Sequence, residues 1–271
     1  MERKYYFVKN LEDAKLYDTM PNISSDLINY IFDNIIKKED VLVDVGCGTG
    51  RLTKELLRNG NIVYGIEPDK NMNKVCENKF NKYDNFHIVN GCDINTNLPN
   101  NSVDCVFVSQ SLHRFNTNSF QKECDRILKN KRNICIMWNR VHFGKPIFKE
   151  LLIAFKSSYP NYKSRYDEMD EINGCIYEMD ANLLDAKKLI GKNMESKFFK
   201  NYQEYNHKEF RDLVLSLGIF PLDDNSHNSE LLSNEIDVNK FIKKIDKIFY
   251  KYANRNKIIL PFESDLHYLG G

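Results

Sequence analysis

The stretch Val41-Leu-Val-Asp-Val-Gly-Cys-Gly-Thr-Gly-Arg51 decides the fold of this chain. A short β-branched run ends in an acid, Asp44. Three glycines follow at alternate positions, Gly46, Gly48 and Gly50, with Cys47 among them, and Leu52-Thr-Lys-Glu-Leu-Leu57 begins a helical pattern at once. The order reads as a buried parallel strand, a tight glycine loop and a helix whose N-terminus faces a ligand. Glycine suits such a loop because the backbone must take unusual dihedrals and lie close to the bound molecule.

Two ligand classes compete for a loop of this kind. A dinucleotide fingerprint requires G-x-G-x-x-G/A, its last small residue packing helix against strand. Here the glycines are spaced G-x-G-x-G, and the third dinucleotide position falls on Arg51. Downstream, Ile62-Val-Tyr-Gly-Ile-Glu67 reads as a second strand ending in an acid that can accept both hydroxyls of a ribose. That acid suits any adenosyl ligand, so only the loop spacing discriminates.

Working outward, strands are expected at 41–45, 62–66, 86–90, 103–108 and 133–138. Helices are expected from Ser24 or Ser25 to about Lys38, then at 51–59, 69–79 behind Pro68, and 117–128. Such alternation predicts a mostly parallel sheet with helices on both faces. Beyond Arg140 the pattern changes. Residues 145–195 lean helical, 197–205 can form a strand, helices fit 207–216 and 237–254, and a last strand fits 256–263.

Composition describes an ordinary soluble enzyme. In 271 residues, 42% are hydrophobic, and 39 Lys and Arg nearly cancel 38 Asp and Glu. There is no polybasic tract of the kind nucleic-acid binding uses. The seven cysteines form no C-x-x-C pair and read as reduced thiols in a cytoplasmic protein. No stretch approaches the length of a membrane span, no signal peptide is expected, and no His/Cys/Asp cluster has metal-ligand spacing.

The segments Asp44–Gly50, Val63–Asp69, Gly91-Cys-Asp-Ile94 and Leu98–Asp104, with Ser109-Gln-Ser-Leu-His-Arg-Phe115 and Ile136–Arg140, resemble class I S-adenosylmethionine-dependent methyltransferases of the type 11, trans-aconitate methyltransferase-like branch. The resemblance implies a Rossmann-like, seven-stranded α/β sheet whose final strand is antiparallel. It divides the chain into a donor-binding core (1–140), a helical cap inserted after strand five (141–195) and a C-terminal part completing the sheet (196–271). The implied cofactor is S-adenosylmethionine, leaving S-adenosylhomocysteine. Its expected contacts are Asp44, Gly46, Cys47, Gly48, Gly50, Glu67, Pro68, Met72, Asp93, Ile94, Ser109 and Gln110. Glu67 is assigned to the ribose, Asp93 and Ile94 to the adenine, and Asp44 to the cationic amino end.

The acceptor side is less defined. His113 can accept a proton near neutral pH, or it can serve packing. Relatives usually carry Trp-Phe after this position, whereas this chain has Arg114-Phe115. Arg114 is therefore either a solvent-facing replacement or a fork for a substrate carboxylate. Phe115, Trp138, Asn139 and Tyr17 complete the expected substrate side, with Tyr159, Tyr162, Tyr166 and Tyr177 in the cap, and the resemblance implies that Tyr17 and the Tyr6–Phe7 region also close over the donor. Neither an N-P-P-Y-type motif nor a Pro-Cys nucleophile is present, which turns the expectation from nucleic-acid bases to the O or N of a small molecule, handled by a monomer or homodimer. The same fold acting on RNA or protein, and a donor-binding protein without turnover, stand as alternatives.

Overall fold

The computed structural model describes residues 8, 10–129, 133–141, 145–158, 183–216 and 238–270. Five strands alternate with helices through the first half: β1 (Val41–Val45), β2 (Ile62–Ile66), β3 (Phe86–Val89), β4 (Cys105–Ser109) and β5 (Ile134–Val141). Around them run α1 (Leu11–Tyr17), α2 (Ser25–Asn34), α3 (Arg51–Leu57), α4 (Lys70–Phe80) and α5 (Thr117–Ile127). The second half contributes α6 (Pro146–Lys156), α7 (183–190), β6 (Met194–Asn206), α8 (His207–Ser216), α9 (Val238–Tyr252) and β7 (Lys257–Leu269).

The seven strands form one sheet in the order β3-β2-β1-β4-β5-β7-β6. The first five are parallel, and β7 runs antiparallel to both of its neighbours. This is the Rossmann-like sheet expected from the sequence. β1 is buried along Leu42–Val45 because helices cover both faces, as parallel sheets require. On one face α2, α3 and α4 pack Leu27, Ile31, Leu52, Leu56 and Phe80 against Leu42, Val63 and Phe107. On the other, α5 and α7 pack Phe120, Ile127, Ala186 and Leu189 against Val43, Val106, Ile136 and Trp138. Strand order reverses at β1, between β2 and β4, and that reversal opens a crevice at the carboxyl ends of the strands.

Several boundaries differ from expectation for definable reasons. The second helix ends at Asn34 rather than near Lys38. The buried Asn61 amide donates to the carbonyls of Lys37 (2.8 Å), Lys38 (3.1 Å) and Asp40 (2.8 Å), which holds those residues in a turn. β5 and β7 run past the expected 138 and 263 because their polar residues are paired. Arg140 Nε donates to Asp265 Oδ2 at 2.7 Å, the Trp138 N–H to Asp265 Oδ1 at 3.1 Å, and His267 Nδ1 shares a hydrogen with Ser196 Oγ at 2.7 Å.

The described part of the expected 141–195 cap divides in two. α6 packs Phe148, Leu151 and Phe155 with α8 and α9 against Ile258, Leu260 and Phe262, on the length of the β6–β7 hairpin that overhangs the end of β5. α7 lies instead on the sheet face. The helical layer at the carboxyl edge is thus assembled from three separate segments. Tyr6, Phe7, Tyr159, Tyr162, Tyr166 and Tyr177 lie outside the described residues. Among the described residues, no disulfide joins the cysteines, no helix is long and apolar enough to cross a membrane, and no group of three His, Cys, Asp or Glu could hold a metal.

Candidate active site

The glycine loop sits at the strand-order reversal. All three glycines are left-handed, with φ of 72° at Gly46, 57° at Gly48 and 82° at Gly50. Their surroundings differ. A Cβ at Gly50 would fall 2.4 Å from Phe80 Cε2 and 2.8 Å from Cys76 Sγ, whereas at Gly48 it would meet only Tyr17 Cε1, at 3.9 Å. At Gly46 it would strike Ser111 Oγ at 2.7 Å and Phe115 Cζ at 3.2 Å. Gly46 and Gly50 are therefore needed for packing, and Gly48 presents the open side of the loop, beneath Tyr17.

Glu67 closes the loop from the end of β2. Its Oε2 accepts the Gly48 N–H at 2.8 Å and its Oε1 accepts the Asp69 N–H at 2.8 Å. Each oxygen keeps a second lone pair for a hydroxyl donor. Burial pushes the Glu67 carboxyl up to about 7, against the lowering effect of the two N–H bonds and of the Arg114 charge. Asp44 is fully buried; its Oδ2 accepts Thr53 Oγ1–H at 2.8 Å, and Oδ1 has no hydrogen-bond partner among the described residues. Burial raises Asp44 to about 7 as well. An orphaned, buried carboxylate oxygen suits a cationic or hydrogen-bonding ligand group, because leaving it unpaired costs roughly 1–3 kcal/mol. The Cys47 thiol is pushed well above its usual range by the adjacent Cys76 thiol and by burial, so it is no nucleophile.

The loop after β3 supplies the other end of the crevice. Asp93 is buried and its Oδ2 accepts the Asn116 N–H at 3.0 Å, while its neighbour Ile94 is 48% exposed. Glu123 on α5 secures this loop by accepting the Thr96 N–H at 2.7 Å and two donors of Arg126 at 2.6 and 2.8 Å. β4 ends in a left-handed turn at Gln110 (φ 61°), whose Nε2 donates to the Asn139 carbonyl at 3.0 Å. Gln110 follows Ser109 at the mouth of the crevice. Pro68 is half-buried beside Glu67, and Met72 turns inward to pack with Val8, Ala14 and Val75 beneath α1.

The expected substrate residues separate. His113 and Arg114 are exposed on a short 3₁₀ turn (Leu112–Arg114), where Arg114 Nε donates to His113 Nε2 at 3.3 Å. Phe115 turns inward, its ring 4.9 Å from that of Phe120, and buttresses Gly46. Trp138 does not reach the rim. It is 5% exposed, packed in the layer between sheet and α7 with its ring 5.6 Å from His267. Strand alternation explains the difference, since Trp138 shares a face with Ile136 while Asn139 points to the opposite one. Asn139 Nδ2 donates to the carbonyls of Pro21 (2.8 Å) and Asn22 (2.7 Å), and thereby fastens the lead-in segment between α1 and α2 (residues 18–24) rather than standing open.

Sequence reading missed the system that holds that segment over the loop. The Arg51 guanidinium donates to the carbonyls of Met20 and Pro21, filling the place a dinucleotide loop reserves for Gly or Ala. Burial lowers its pKa from the usual arginine range. Asp18 Oδ1 accepts Thr49 Oγ1–H at 2.7 Å and pairs with Lys79. Only the failure of Arg51 to match a dinucleotide loop hinted at this; nothing in the pattern marked Asp18, Thr49 or Lys79.

Residues 43–136 match the family model described as "Methyltransferase domain", type 11. Over 78 residues the chain is 46% identical to a ribosomal RNA small subunit methyltransferase A of Sulfurihydrogenibium, covering 28% of this chain and 30% of that protein. An uncharacterized methyltransferase of Bacillus cereus is 30% identical over 156 residues, covering 56% of this chain and 62% of the relative. The aligned part thus spans less than two thirds of either relative. Among solved structures, a candidate type II methyltransferase of Anaeromyxobacter dehalogenans superposes with a TM-score of 0.57 at 13% identity, covering 92% of this chain and 96% of that one. A candidate methyltransferase from an antibiotic biosynthesis pathway of Anabaena variabilis gives 0.51 at 17% identity, covering 92% and 98%. These likenesses carry the fold. Residues 43–136 thus resemble the methyltransferase domain of type 11, and they lie in a seven-stranded sheet that shares its fold with these solved structures.

Proposed function

We propose that the chain is an S-adenosylmethionine-dependent methyltransferase that acts on the O or N of a small-molecule acceptor. The observation that carries this reading is the Glu67 carboxylate closed onto the Gly48 N–H, at the open glycine of the loop. Glu67 would hold the ribose hydroxyls, Asp44 the amino end, and Asp93 with Ile94 the adenine. When bound, S-adenosylmethionine supplies a methyl group already activated on a sulfonium. The residues around it then need do little beyond alignment and exclusion of water. Tyr17 and the segment clamped by Arg51 cover the loop from one side, and the helical layer of α6, α8 and α9 stands at the same end of the sheet. A crevice flanked in this way would suit a small acceptor.

His113 and Arg114 stand where the acceptor would approach. His113 can take a proton from an acceptor hydroxyl or ammonium. His113→Ala should lower kcat more than it raises the donor's dissociation constant; a loss confined to donor affinity would reassign the residue. The near balance of charge weighs against an extended RNA surface. Isothermal titration with S-adenosylmethionine, S-adenosylhomocysteine and NAD tests the donor. Micromolar binding of both adenosyl ligands without NAD supports the proposal, and binding of NAD alone refutes it.

A further inference from the structure

β6 forms one edge of the sheet and, among the described residues, has a strand neighbour on one side only, β7. It is 13 residues long, well beyond the usual strand. One face carries Ser196, Phe198, Lys200, Tyr202 and Glu204 in alternation, all exposed. Phe198 is 55% and Tyr202 64% exposed, and Ile259 beside them on β7 is 63% exposed. Long edges with aromatic side chains invite pairing with another chain.

We propose that two copies of this chain dimerise by pairing their β6 strands antiparallel about a two-fold axis at Tyr202. The axis that joins two edges in this way is perpendicular to the sheet, so each residue meets one on its own face, and the two residue numbers differ by an even count. Charge selects among the registers that remain. Centring on Lys200 would oppose two lysines, which is destabilising. Centring on Tyr202 places Lys200 opposite Glu204 of the second copy, and the symmetry repeats that pair. It also sets Tyr202 against its own copy, Asn201 against Gln203 and Phe199 against Tyr205, over residues 198–206. The register centred on Ser196 opposes Lys197 to Glu195 but overlaps only residues 194–198. Each chain already aligns Lys200 with Glu263 across the hairpin, and Lys257 with Glu204 at 2.5 Å. The pairing at Tyr202 therefore extends an alternating row of charge from one sheet into the next.

A nine-residue edge buries less area than a standard interface, so the dimer should be weak and concentration-dependent. Sedimentation equilibrium over increasing protein concentration should show the mass rising from 31.9 kDa toward twice that value. Lys200→Glu and Glu204→Lys should each return the chain to a monomer, and the double reversal should restore the dimer. Tyr202→Cys should give a disulfide-linked dimer under mild oxidation, and Phe198→Cys should not. Wild-type protein that stays at 31.9 kDa throughout would overturn the proposal. So would a dimer that survives both single reversals, or cross-linking that prefers position 198. Circular dichroism of each variant separates a lost interface from a lost fold.

Discussion

Alanine at two glycines of one loop should separate folding from binding. At Gly50 the left-handed backbone (φ 82°) costs an L-residue about 1–2 kcal/mol. The added Cβ would also sit 2.4 Å from Phe80 and 2.8 Å from Cys76, both in the packed core. Overpacking of that kind adds about 1–3 kcal/mol. Gly50→Ala should therefore lose about 2–5 kcal/mol, a melting shift on the order of 10 °C for a chain of this size. At Gly48 the backbone cost is the same, but the nearest atom is Tyr17 at 3.9 Å, so only a few degrees should be lost. The methyl group there projects toward the crevice, and donor affinity should fall about 10- to 100-fold, the equivalent of an overpacking cost at the ligand. Differential scanning calorimetry and titration with S-adenosylhomocysteine read the two effects. If Gly48→Ala proved the more destabilising, or left affinity unchanged, the assignment of Gly50 to packing and Gly48 to the ligand would be wrong.

Three further outcomes are expected. Asp44 and Glu67 have folded pKa values raised to about 7, so between pH 4 and 7 the native state holds more protons than the unfolded chain. Their contribution to stability is therefore present below about pH 4 and is lost as pH rises to 7, at up to about 1.4 kcal/mol per pH unit for each group. Asp44→Asn and Glu67→Gln should each flatten the ligand-free melting temperature over that interval, and an unchanged slope would contradict the burial argument. Glu123→Ala strands the buried Thr96 N–H and takes the carboxylate from Arg126, which keeps the Leu98 carbonyl and Asn100 as acceptors, and should cost about 1–3 kcal/mol in urea unfolding. It should also weaken donor binding through the Asp93 loop, and a variant as stable as wild type would show that Glu123 is dispensable. Arg51→Met removes the guanidinium from the carbonyls of Met20 and Pro21. Limited proteolysis should then cut near residues 18–22 several-fold faster, with Arg51→Lys intermediate; equal rates would mean that Asn139 suffices.

Much of the fold was readable because the parallel half of the sheet follows local rules. Runs such as Leu42–Val45 and Val63–Ile66 are largely buried on both faces, and the amphipathic segments between them read as helices. The glycine spacing and the acids at 44, 67 and 93 fall at strand ends, so their convergence follows from topology alone. What the chain order could not reveal depends on long-range pairing. Ser264, Asp265 and His267 look like turn residues until Asn139, Arg140 and Ser196 satisfy them in the interior. Trp138 and Asn139 are adjacent in sequence, yet strand alternation sends one into the core and the other to the lead-in segment. Arg51, Asp18 and Lys79 carry no periodic signal; they meet because α1, α3 and α4 converge on the loop. The sequence by itself determined the strand–loop–helix core and pointed to the class of ligand proposed for it. Tertiary structure decided which polar residues are buried partners and which line the crevice, because a polar side chain's role depends on the group that satisfies it.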